Sequence, residues 1–309
     1  MSALLFPGQG SQMVKMGSEF YDNFDIVKKI FKDADEKLNF SLSKIILDGP
    51  EEQLTLTKNT QPAILTVSYS IFKVLKDEFN FDLGLFKYFA GHSLGEYSAL
   101  VCSGSLDFTD AIYLLHARGK AMQEAVPVGK GSMIAILGSK FEDIQKLIAS
   151  FTKKGICEIA NDNAEGQVIV SGDKNTIEEF RLFLKDKKIK FIPLKVSAPF
   201  HCSLMKSAAE TMKEKIEQTI FKKPKFEIVS NVTALPENDT SKIKRLLIEQ
   251  IFNTVRWRET LLKMSNSGIS NFIEIGPGKA LSGMVKSCLL YTSDAADEGL
   301  GVDLGGRRI

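Results

Sequence analysis

Ser93 lies in Gly91-His92-Ser93-Leu94-Gly95, a Gly-x-Ser-x-Gly run whose residue types suit nucleophilic acyl chemistry. The pattern is that of a nucleophile elbow, a sharp strand-to-helix turn with an exposed serine hydroxyl at its tip. The flanking glycines fit because a Cβ on either side would clash in so tight a turn. A free serine is a poor nucleophile, so the chemistry also demands a base and an oxyanion site. Only three histidines are available: His92, His116 and His201. His92 adjoins the serine, where neighbouring side chains point apart, and reads as packing under the turn. His116 falls on the less apolar side of a helical stretch and reads as structural or solvated. His201 follows a strand-like run and the rigid Ala198-Pro199-Phe200 segment, a place where a sheet presents catalytic groups at its edge. By elimination His201 is the base for Ser93, taking its proton on attack and returning one to the leaving group.

Arg118 bears on what such a site binds. Its neighbours three and four positions away are Leu114, Leu115, Ala121 and Met122, so its stem shares the inward stripe of its helix. Periodicity leaves two readings open. One is a structural ion pair with an internal Asp or Glu, since a buried unpaired cation is costly. The other is a bidentate clamp on a substrate carboxylate, which the planar guanidinium suits and a lysine does not.

The elements that must position these residues follow an α/β order. Ala3–Phe6 reads as a first strand and the segment to about residue 80 as mostly helical, its last helix opening at Thr60-Gln61-Pro62. Lys87–Ala90 is a short buried strand, Leu94–Cys102 the elbow helix and Asp107–Glu124 the helix after it. The pattern then changes to strand 132–137, helix 142–151, strand 157–160, strand 167–171, helix 174–186 and strand 191–196. That βαββαβ order is ferredoxin-like. Asn161 and Asn163, in an Asn-Asp-Asn loop, either line a cleft or serve as turn residues.

Six motifs in order carry a resemblance. Phe6-Pro7-Gly8-Gln9-Gly10-Ser11-Gln12, Asn59-Thr60-Gln61-Pro62-Ala63 and Gly91–Tyr97 resemble signatures of the malonyl-CoA:acyl carrier protein transacylase family. So do Arg118-Gly119-Lys120, Ser197-Ala198-Pro199-Phe200-His201 and Glu274-Ile275-Gly276-Pro277-Gly278. The resemblance runs from about residue 3 to about residue 288. It implies Ser93 as nucleophile, His201 as base and Arg118 as the malonyl carboxylate clamp. It adds the backbone N–H groups of Gln9 and Leu94 as oxyanion hole, Gln61 in the pocket, and a backbone carbonyl near Asn253 orienting the histidine. A carbonyl in that role removes the need for a triad acid, for which no strand-end loop offers an obvious candidate. Leu94 N–H sits at a helix start, where free donors and the dipole favour negative charge. Phe200, beside the base, would narrow the pocket and favour malonyl over bulkier acids.

The expected fold is a large α/β-hydrolase-like domain with a mostly parallel central sheet, formed by residues 1–127 and 197–288. A ferredoxin-like subdomain, 128–196, is inserted in it, with the active site in the cleft between them. The implied reaction moves a malonyl group from malonyl-CoA to the thiol of holo acyl carrier protein, for fatty acid synthesis. It uses no cofactor and no metal. A discrete acyltransferase of polyketide assembly and a serine hydrolase or thioesterase with the same elbow are the alternatives.

Composition sets the remaining bounds. Hydrophobic content of 44% and charged content of 25% are ordinary for a globular protein, and the net charge of +2 argues against nucleic acid as partner. Gly8-Gln9-Gly10 lacks the third glycine of a dinucleotide fingerprint, since Met13 stands there. Lysine groups at 185–188 and 222–225 read as solvated faces rather than as contacts for an acidic carrier protein. No apolar run reaches membrane-span length, and the start lacks a basic region plus apolar core. Cys102, Cys157, Cys202 and Cys288 show no metal-ligand spacing and suit a reducing cytoplasm. A cytoplasmic location is expected, and the family resemblance implies a monomer. From about residue 289 the chain turns glycine-rich and loses apolar period, resembling foreign translated sequence; residues 289–309 are expected to be poorly ordered.

Overall fold

Five consecutive buried residues, Ser2–Phe6, form β1 at the heart of the larger sheet. A strand covered on both faces needs such an unbroken apolar run rather than alternation. In the computed structural model, which describes residues 1–151, 154–196 and 198–289, β1 pairs in parallel with β2 (Phe86–Gly91) and with β9 (Asn271–Glu274). β2 pairs in parallel with β7 (Glu227–Val229), and β8 (Pro236–Glu237) closes the edge antiparallel, in the order β8-β7-β2-β1-β9. The architecture is α/β, with a mostly parallel sheet and a second, antiparallel one.

The second sheet contains β3 (Gly131–Leu137), β4 (Cys157–Ala164), β5 (Gln167–Asp173) and β6 (Lys190–Pro193), ordered β4-β5-β3-β6. Helices Phe141–Ser150 and Lys174–Asp186 pack on it around Ile144, Ile177, Phe180 and Leu184. The main core joins the larger sheet to the long helices Thr57–Asp77 and Phe108–Glu124.

Two local expectations are corrected. The Asn161–Asn163 segment is strand, not loop: β4 continues to Ala164, with register shifts between Ile159 and Asn161 and between Asp162 and Ala164. The helix containing Gln61 begins at Thr57, with Pro62 inside it. Pro62 has no N–H for the Lys58 carbonyl four residues back. That carbonyl accepts instead from Nδ1 of His116 at 3.0 Å, the structural role read for this histidine.

Segment 254–256 runs beside the edge of β4 and ties the two sheets together. Val255 N–H donates to Ala160 O and Asp162 N–H to Val255 O, each at 2.9 Å. Arg258 then grips Asp162 at 3.0 Å, a carboxylate with no exposed side-chain surface. Leu289, where poor order was expected to begin, instead ends the helix Ala280–Leu289 and is buried in the core beside β9; the rest of that expectation, residues 290–309, lies outside the described residues.

Candidate active site

Strand β2 ends at Gly91 and the helix Gly95–Cys102 begins four residues later, with His92, Ser93 and Leu94 between them. Ser93, between them, is forced to φ 53°, a left-handed conformation that costs a non-glycine residue free energy. The turn closes because its glycines lack side chains. A Cβ on Gly91 would lie 1.9 Å from the Gly95 carbonyl group, and one on Gly95 would lie 2.2 Å from Phe6 O. Asn231, on the loop after β7, fastens the elbow: its Oδ1 accepts from Ser93 N–H at 2.7 Å, and its Nδ2 donates to Gly91 O at 2.8 Å.

Ser93 Oγ lies 2.8 Å from His201 Nε2. His201 is itself left-handed, at φ 56°, and buried. Its Nδ1 lies 2.8 Å from the backbone carbonyl of Gln250, which can only accept, so Nδ1 carries the proton and Nε2 is free to take one from serine. The carbonyl expected near Asn253 is therefore that of Gln250. This residue ends the helix Thr240–Gln250, and the last carbonyls of a helix have no intrahelical donor. Asn253 turns back instead, its N–H and Nδ2 both donating to Glu249 O. Burial, followed by the field of Arg118, pushes the His201 imidazolium down to about 3.

Arg118 projects from helix Phe108–Glu124 with 1% of its surface exposed. Its Nη1 donates to Gln61 Oε1 at 2.7 Å; its Nη2 donates to Gln250 Oε1 at 2.8 Å and to Ser93 Oγ at 3.2 Å. Gln61 reaches it because Gly119 lets the two helices touch: a Cβ there would meet Thr57 O at 2.5 Å. The Tyr97 ring lies 5.9 Å from the guanidinium carbon. The Arg118 Nε is buried with no partner, and among the described residues no carboxylate ion-pairs with this side chain. Of the two readings left open by periodicity, a direct structural ion pair is absent from these residues.

Ser93, His201 and Arg118 open on one cavity of about 250 Å³. Gln9, Gln61, His92 and Phe200 line it with them, as do Asn161, Asn163 and Gln167 from the smaller sheet. Among the described residues nothing accepts from the backbone N–H of Gln9 or of Leu94. His92 Nε2 faces Asn163 Oδ1 at 2.8 Å and its ring stands edge-on to Trp257, so it packs across the cleft. No group of residues suited to a metal ion occurs among those described.

Sequence reasoning missed Asn231, Gln250 and Glu96. Glu96 is buried, and its Oε2 accepts from Asn231 N–H at 3.1 Å and from Gln250 Nε2 at 2.8 Å. Burial raises its carboxyl to about 7. The signals for it were its place in the Gly91–Tyr97 motif and a charge on an otherwise uncharged elbow helix.

Comparison with known proteins bears on this geometry. The acyl transferase domain family matches residues 3–300. The malonyl CoA-acyl carrier protein transacylase of Bacillus subtilis (strain 168) is 45% identical over 287 residues, covering 92% of this chain and 89% of the relative. The crystal structure of the acyl-carrier-protein-S-malonyltransferase from Bartonella henselae superposes with a TM-score of 0.90 at 40% identity, over 93% of this chain and 92% of that one. A malonyl-transacylase in complex with a type II PKS acyl-carrier protein superposes at 0.89 with 39% identity, over 93% of each chain. A buried serine–histidine pair beside a buried arginine, in a chain alike to these over nearly its whole length, places it in the acyl transferase family, among the malonyl CoA-acyl carrier protein transacylases.

Proposed function

We propose that the chain transfers a malonyl group from malonyl-CoA to the phosphopantetheine thiol of holo acyl carrier protein, through a malonyl ester on Ser93. The observation that carries the reading is Arg118: a buried guanidinium whose Nε–H is unpartnered and whose Nη2 donates to Ser93 Oγ at 3.2 Å, on the same cavity. A cation in that position fixes the free carboxylate of a malonyl group and sets its thioester carbonyl against the serine.

His201 Nε2 takes the Ser93 proton as Oγ attacks the thioester carbon, and the free N–H groups of Gln9 and Leu94 receive the oxyanion. The carbon–sulfur bond breaks, coenzyme A leaves with the proton returned by His201, and the ester remains. The carrier thiol then gives its proton to His201, attacks the ester, and Ser93 recovers its hydrogen. A carboxylate on Arg118 also cancels the positive field that disfavours the imidazolium, so substrate arrival raises the basicity of His201 when it is needed. Gln61 holds Arg118 in aim, and Phe200 narrows the pocket. The carbonyl of Gln250, in place of one near Asn253, orients the base.

The same reading divides the chain into a hydrolase-like domain, 1–127 and 197–288, and a ferredoxin-like subdomain, 128–196; the order β4-β5-β3-β6 supports the latter. It places the enzyme in the cytoplasm as a monomer serving fatty acid synthesis, without a cofactor. A polyketide carrier is the second reading, favoured by the likeness to the malonyl-transacylase bound to a type II PKS acyl-carrier protein.

Intact mass after mixing with malonyl-CoA, and again after adding holo acyl carrier protein, tests the proposal. A malonyl adduct that is lost from wild type as malonyl-carrier forms, and is absent from Ser93→Ala, is expected. Free malonate released without carrier would identify a hydrolase instead.

A further inference from the structure

Arg118 is a buried cation whose countercharge stands one amide away. Gln250 has no surface exposure and separates the two charges. Its Oε1 accepts from Arg118 Nη2 at 2.8 Å, and its Nε2 donates to Glu96 Oε2 at 2.8 Å. The orientation of this amide is dictated by its surroundings. Nε2 also faces Ser93 O at 3.0 Å and Asn231 Oδ1 at 3.2 Å, so three acceptors crowd the nitrogen and a guanidinium donor meets the oxygen. A flipped amide would set N–H against N–H at Arg118 and oxygen against three oxygens opposite.

We propose that the Gln250 side chain is a specificity-determining positioning residue, an insulator that keeps Arg118 charged yet unpaired by showing it a neutral oxygen while holding the balancing anion of Glu96 out of reach. A direct Glu–Arg pair would be the cheaper way to bury this cation, but it would occupy the donors that a substrate carboxylate needs. An unbalanced arginine would cost the fold more. The amide resolves the conflict by relaying partial charge without forming the pair. Two observations agree. Arg118 Nε remains unpartnered, and burial dominates at Glu96, whose carboxyl stands at about 7, where contact with the guanidinium would have pulled it down. One residue thus serves both ends of the site, because the backbone carbonyl of Gln250 holds His201. The inference rests on malonyl-CoA as donor.

The test moves the anion without changing net charge. The double variant E96Q/Q250E places a carboxylate against Arg118 and an amide behind it. Transfer to holo acyl carrier protein is measured from malonyl-CoA and from acetyl-CoA at about pH 8, where Glu96 is ionised in wild type. The ratio of malonyl to acetyl kcat/KM is expected to fall on the order of 100-fold, through the malonyl KM. Equal losses for the two donors, appearing in kcat, would mark a merely structural role and overturn the proposal. E96Q alone keeps both acceptor bonds through its amide oxygen while the NH2 replaces the other oxygen and the charge is removed, so the malonyl KM is expected to fall roughly threefold. If the double variant gives no cooperative melt, E96Q decides: an unchanged or higher malonyl KM overturns the insulator. Wild-type protein that transfers no malonyl group at all would remove the donor assignment, a separate failure visible before any variant is made.

Discussion

Ser93, His201 and Arg118 form a line of contacts in which each group alters the next. Arg118 donates to the nucleophile at 3.2 Å and disfavours a charge on the base beyond it. Replacing Arg118 by Ala should lower kcat/KM for malonyl-CoA by roughly 30- to 150-fold, the worth of a charged hydrogen bond of about 2–3 kcal/mol, and relax rejection of neutral acyl groups. Steady-state transfer from malonyl-CoA and acetyl-CoA checks this; unchanged malonyl transfer would remove the clamp. The same field sets the titration of His201. NMR should find this imidazole neutral well below the ordinary value of about 6.5, with its pKa rising when malonate is added. The unfolded imidazole takes up a proton as pH falls through about 6.5, whereas the folded one resists until about 3. This contribution is therefore full above the upper value and lost between the two. Urea unfolding at several pH values should show that loss blunted in His201→Ala.

At the scale of elements, the elbow is a packing problem before it is a catalytic one. β1, β2 and the elbow helix approach so closely that Gly95 touches the Phe6 carbonyl, and a Cβ there would fall at 2.2 Å. Gly95→Ala is expected to cost about 3 kcal/mol, the upper end for an overpacked core, and to abolish Ser93 acylation. Chemical denaturation and intact mass with malonyl-CoA measure the two effects, and a variant of wild-type stability would contradict the packing argument. The helix Thr57–Asp77 shows the reverse economy: Pro62 gives up a helical hydrogen bond and the freed carbonyl takes His116.

At the scale of the whole molecule, the site exists because two sheets face one cavity. The larger sheet and its helices bring Ser93, Arg118 and His201, and the smaller one brings Asn161, Asn163 and Gln167. The Arg258–Asp162 pair and the strand-like contacts of Val255 hold the sheets in that relation. Arg258→Ala would leave a buried carboxylate unpaired, at a cost of about 3–5 kcal/mol. Hydrogen exchange should then rise in β4 before the rest of the fold; uniform exchange would show that the pair does not tie the sheets. Among the described residues no helix is long and apolar enough to cross a membrane. Much of this plan was legible in the residues. Ser93 follows from an elbow pattern spanning five positions, and His201 from a count of three histidines. The elements of the smaller sheet follow from alternating apolar runs, because local backbone preferences and side-chain periodicity are written over short stretches of chain. The Asn161–Asn163 strand and the early start of the Gln61 helix were not legible, since polar residues and a proline argue locally for loops and ends. Which carbonyl holds His201, that Arg118 lacks a direct ionic partner, and that Glu96, Asn231 and Gln250 brace the elbow were decided only by the tertiary structure. These contacts join positions 49 to 157 residues apart, and a sequence carries no local signal for a pairing that packing alone brings together.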